Sequence, residues 1–85
     1  PRDFEGKVSL DGDLTATDVK IAWYGDRLAI INPTNKSGSV TLKGIGADRL
    51  KELGRQRNYK ASGFFSKSFE IEVEPYDLLV FEKQQ

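Results

Sequence analysis

Along residues 68–83, "SFEIEVEPYDLLVFEK", apolar and polar positions obey two different rules. Phe69, Ile71 and Val73 alternate with Ser68, Glu70, Glu72 and Glu74, the period-two pattern of a strand with one buried face. After Pro75-Tyr76-Asp77 comes Leu78-Leu79-Val80-Phe81, apolar at every position, which predicts an interior strand covered on both faces. Proline has no N–H and fixes its own φ, so a chain can leave one ladder there and enter another. The prediction is that 68–74 lies on an outer face with one wet side. The last strand then returns to the centre, with Leu78 to Phe81 largely buried.

Similar short runs recur upstream: 7–10, 18–25, 27–33, 38–44, 48–54 and 58–63. Gly, Asn, Asp and Pro separate them, as in an all-β domain. Asp11-Gly12 follows the first run, Gly25-Asp26 is a two-residue hairpin connection, and "NPTNKSGS" (32–39) is a longer loop. "RLAIIN" (27–32) is apolar on both faces and, like the last run, predicts an interior strand. One stretch reads two ways. "ADRLKELGRQRNYK" (47–60) has helix formers, with Leu50 and Leu53 three apart and Gly54 placed like a C-cap. A helix of about two turns is the alternative, but one so short is marginal without packing. Every neighbour reads as strand, so an extended segment turning at Gly54-Arg55-Gln56 is preferred. The fold expectation is a single domain over 1–85, an antiparallel β-sandwich of seven or eight strands of Greek-key type.

Composition narrows the chemistry. Thirteen Lys and Arg balance thirteen Asp and Glu, without the basic excess typical of nucleic-acid binding. No cysteine is present, so the sequence offers neither disulfides nor thiolate metal ligands, and it fits the cytosol. No histidine is present either, which removes the commonest general base and metal ligand. No cofactor is expected. The longest apolar runs have four residues, against about 20 for a membrane-spanning helix, so no membrane partner is expected. "PRDFEGKVSL" (1–10) lacks the apolar core of a signal peptide. With no initiating methionine, the chain reads as a piece of a longer polypeptide.

"IEVEPYDLLVFE" (71–82) resembles the close of the small β-sandwich that follows the catalytic barrel in many glycoside hydrolases, among them α-amylase-like and galactosidase enzymes. "YGDRLAIINPTNKSGSVTLKG" (24–44) is similar to that domain's hairpin, and "LKELGRQRNYKASG" (50–63) to the segment before its final strand pair. The resemblance spans about residues 19–83. It implies a non-catalytic accessory domain, C-terminal to a barrel of the same polypeptide that it covers and stabilises. The catalytic carboxylates of such enzymes lie in the barrel, so no catalytic residue transfers to this chain. A carbohydrate-binding module and an immunoglobulin-like interaction domain are the alternatives.

The residues themselves give few candidates. Glu70, Glu72 and Glu74 share one strand side at about 6.5–7 Å intervals, close to the spacing of an inverting glycosidase pair. Three carboxylates on one wet face do not flank a bond, however. They are read as solvated, paired with Lys43, Lys60 or Lys67. Val19, Ile21 and Trp23 share a face, which makes Trp23 core and Tyr24 the exposed ring. Phe64-Phe65, bracketed by Gly63 and Ser66, sit in a turn, where a ring points outward or meets another domain. Tyr24, Phe64 and Phe65 are therefore the carbohydrate-binding candidates. "LDGDL" (10–14) is read as a turn and not a calcium loop. In "NKS" (35–37), Asn35 matches a glycosylation acceptor, whereas Pro33 blocks "NPT". Lys51, Arg55, Arg57 and Lys60 form a basic patch balanced by Asp48 and Glu52.

Overall fold

The computed structural model describes residues 1–84. Its strands are β1 (Arg2–Asp3), β2 (Lys7–Gly12), β3 (Lys20–Tyr24), β4 (Arg27–Ile31), β5 (Gly38–Lys43), β6 (Arg49–Glu52), β7 (Arg57–Lys60), β8 (Ser68–Val73) and β9 (Leu78–Gln84). They form two antiparallel sheets, one of six strands ordered β1-β3-β4-β9-β6-β7 and one of three ordered β2-β5-β8. This is a β-sandwich. There is no helix among the described residues. Residues 49–52 are extended and turn over at 53–56, where Gln56 takes a positive φ of 59°. The ninth strand, β1, is two residues long, too short to show as a pattern.

The change of pattern at Pro75 is a change of sheet. β8 is an outer strand of the small sheet and β9 is central in the large one, between β4 and β6. Phe69, Ile71 and Val73 face inward and are buried, while Glu70 and Glu72 face water. The inner face of the large sheet presents Leu28 and Ile30 of β4, Leu79 and Phe81 of β9, and Leu50 of β6. Tyr59 meets Phe81 edge-on at 5.7 Å between centroids.

One expectation fails. Leu78 is 63% exposed and Val80 only half-buried. Interior position in strand order does not imply cover on both faces, because among the described residues no third layer lies over the large sheet. Its outer face carries two apolar cross-strand rows. One joins Ile31 to Leu78, and the other joins Ala22, Ala29 and Val80.

Two connections are fastened by buried polar side chains. Asn32 Nδ2 donates to the carbonyls of Lys36 (2.8 Å) and Glu74 (2.9 Å), and Oδ1 accepts from the Thr34 N–H (3.1 Å) and hydroxyl (2.7 Å). Asp77 Oδ2 accepts from the Glu74 N–H at 3.1 Å, closing the 74–77 turn. Tyr76 occupies that turn with φ 57°, a conformation in which a side chain is crowded. Glu52 is the third buried polar residue, and it accepts from the N–H groups of Gly54 and Arg55. Its carboxylate is thus engaged by the turn and does not balance the surface cations as expected.

Candidate functional site

The three nominated aromatics do not converge. Tyr24 closes β3 beside the Gly25-Asp26 turn, on the outer face of the large sheet opposite Arg27. Phe64 and Phe65 stand in the β7–β8 connection. Between β3 and β7 lie three strands, a separation of roughly 19 Å at the usual inter-strand spacing. No single sugar ring touches both positions.

The Phe64-Phe65 loop is built on a closed base. Ser62 and Ser68 exchange two backbone hydrogen bonds, each 2.9 Å. Gly63 follows at φ 102°, where a Cβ would run into the Ser66 carbonyl. Glycine is the residue that fits. The chain is thereby thrown outward, leaving Phe64 88% and Phe65 95% exposed. The rings meet only edge to face, 4.9 Å between centroids at 83°. Sugar-stacking platforms present ring faces side by side, and these two do not. At the base, Lys67 pairs with Asp48, which holds the Asp48 carboxyl below its ordinary pKa through a hydrogen bond and charge attraction.

Trp23 is a core residue, 8% exposed. Phe4 lies tilted against it at 6.3 Å, Lys83 Nζ sits 4.6 Å from its ring centroid and the Arg2 guanidinium 5.8 Å. These cations cover the ring at the edge of a shallow depression that also includes Asp26, Arg27 and Glu82. With Arg27 and Glu82 3.9 Å apart, the depression holds charges of both signs, and the ring it contains is already occupied.

The carboxylates are dispersed. Glu70 and Glu72 lie opposite Thr41 and Ser39, not opposite the lysines expected for them. Lys43 faces Ser68, and Lys67 is committed to Asp48. Among the described residues, no three acidic side chains gather to hold a metal ion. In the 10–14 segment, Asp11 Oδ1 accepts from the Gly12 N–H at 2.8 Å, so it serves a turn. Asn35 is exposed in its loop. The basic patch of Lys51, Arg55, Arg57 and Lys60 is divided, because Arg55 binds buried Asp77 at 3.3 Å.

Reasoning from sequence missed two polar devices. Asn32 was visible only as the residue ending an apolar run. Thr15 and Asp18 form a reciprocal turn, Thr15 N–H to Asp18 Oδ2 at 2.8 Å and Asp18 N–H to the Thr15 carbonyl at 2.9 Å. That bond to the Thr15 amide is the largest cause lowering the Asp18 pKa, with Lys36 contributing less. The Thr-x-x-Asp spacing was its signal.

Comparisons with protein-family models, with curated proteins and with solved structures give no match.

Proposed function

We propose that the chain is a non-catalytic C-terminal β-sandwich domain of a carbohydrate-active enzyme, packing on a catalytic barrel of the same polypeptide and stabilising it. The observation that supports this reading is the uncovered outer face of the large sheet. Leu78 stands exposed there and Ile31 and Val80 half-buried, beside Ala22 and Ala29, which are already buried. Apolar rows at the centre of a sheet are where a second domain gains most from burial.

The carbohydrate-binding alternative rests on Tyr24, Phe64 and Phe65, which are exposed, but Phe64 and Phe65 meet edge to face and Tyr24 is on β3, separated from β7 by three strands. Two measurements test the proposal. The reading frame upstream of Pro1 should encode a barrel with its own acidic pair. In that polypeptide, Leu78→Asp should lower the melting temperature of the barrel while leaving the isolated sandwich as stable as before. A frame without such a barrel, or a variant that leaves the barrel's melting unchanged, refutes the reading.

A further inference from the structure

At one end of the sandwich, two features meet that the packing role does not use. The first is the prong of Phe64 and Phe65. The second is a pair of like-charge juxtapositions: Lys7 lies directly opposite Lys43, and Arg49 directly opposite Lys60. Like charges facing each other across a ladder are destabilising. None of these four cations has a carboxylate within ion-pair distance among the described residues.

Topology places both pairs beside the prong. Lys60 ends β7 and Ser68 opens β8, so the Phe64-Phe65 loop leaves from the Arg49–Lys60 row. It enters next to Lys43, which is the partner of Ser68. By strand alternation, Lys7 and Lys43 share the outward face of the small sheet with Ser9 and Glu70. Arg49 and Lys60 share the outward face of the large sheet with Glu82. Two cationic edges therefore flank one apolar tip. The connections at the other end carry Asp13, Asp18, Glu74 and Asp77 against Lys36 and Arg55, and the prong end carries Asp48, held by Lys67, so the excess of cations is local to the two facing pairs.

We propose that this end docks on an anionic lipid bilayer, with Phe64 and Phe65 entering the interface and Lys7, Lys43, Arg49 and Lys60 meeting the headgroups. A flat anionic surface touches cations on both outer faces at once and receives a convex tip without needing a shaped pocket. A nucleic acid would stack on open ring faces, and here one ring's edge abuts its neighbour. The short apolar runs exclude spanning helices, a constraint that does not bear on surface attachment. Arg49 and Lys60 lie on the same sheet face as Leu78 but toward the other end of β9, Arg49 being opposite Gln84, and the proposal does not depend on the barrel reading.

The test is co-sedimentation of the chain with vesicles of phosphatidylcholine alone and of phosphatidylcholine mixed with phosphatidylserine, at low and high salt. Pelleting is expected with the mixed vesicles and should weaken as salt screens the headgroups. The double variant Phe64→Ser/Phe65→Ser should bind at least about tenfold more weakly, through lost apolar burial. Lys43→Gln and Lys60→Gln should each weaken binding about fivefold. All these side chains are exposed and the two glutamine variants relieve a like-charge facing, so none of the variants should melt below the parent. Equal pelleting with both vesicle types, or undiminished pelleting of the double variant, overturns the proposal. Binding to polyglutamate or to a single-stranded oligonucleotide, with none to either vesicle, overturns it too.

Discussion

Asn32 Nδ2 donates a hydrogen bond to the carbonyl of Glu74 at 2.9 Å, joining positions 42 residues apart. The same side chain holds the 32–37 loop through Lys36 and Thr34, and its backbone N–H donates to the Asp77 carbonyl. One buried amide thus fixes the exit of β4 against the entrance of β9. Asn32→Ala should leave two carbonyls without their donor and cost about 3 kcal/mol, a large part of a small domain's stability. Asn32→Asp should be no better, since it sets carboxylate oxygen against the same carbonyls. Urea unfolding measures both, and a loss under about 1 kcal/mol for either would show the linkage to be dispensable.

Trp23 and Tyr24 are neighbours with opposite fates. Truncating the buried ring, Trp23→Ala, should cost roughly 3–5 kcal/mol, whereas Tyr24→Ala should change stability by about 1 kcal/mol or less. Thermal melts run beside oligosaccharide titration separate a packing domain from a sugar binder. Saturable binding, lost in a Tyr24→Ala protein that melts normally, would favour the binding module.

Tyr76 follows Pro75 in the 74–77 turn, at the position where a positive φ favours glycine. Tyr76→Gly should therefore be as stable as the parent or up to about 1 kcal/mol more so, relief of crowding outweighing added unfolded-state freedom. Tyr76→Val should lose about 1–2 kcal/mol, because a β-branched side chain tolerates that conformation least. Equal melting temperatures for the glycine and valine variants would contradict the assignment.

Asp18 and Asp48 both titrate below the ordinary value of 3.8, for different reasons. A carboxyl depressed by folding contributes stability above its unfolded pKa, and the contribution disappears as pH falls through the folded value. Carboxyl-carbon NMR titration should show Asp48 returning toward 3.8 in Lys67→Ala. Asp18 should remain depressed in Lys36→Ala, because the Thr15 amide is its main partner. The reverse pattern would exchange the two causes.

The strands were legible because period-two alternation and turn residues repeat along most of the chain. Residues 48–54 show the limit. Leu50 and Glu52 sit on one strand face, and alternation alone points both inward, yet a glutamate there reads as solvent-facing until its turn amides are seen. Leu78 is the converse case. Its apolar run announces a central strand, but a sequence does not state how many layers surround a sheet. Exposure of Phe64 and Phe65 was signalled by the flanking Gly63 and Ser66. The facing of Lys7 with Lys43 was not, since it depends on a register joining strands about 30 residues apart in the chain.

The large sheet is two separate pieces joined by β9 alone: β1-β3-β4 on one side and β6-β7 on the other. During synthesis, neither piece can close on the other until residues 78–84 have left the ribosome. Until then the edges of β4 and β6 stand unpaired, able to recruit strands from other nascent chains. A stop codon just before Leu78 would accordingly yield not a slightly shorter domain but an aggregation-prone one.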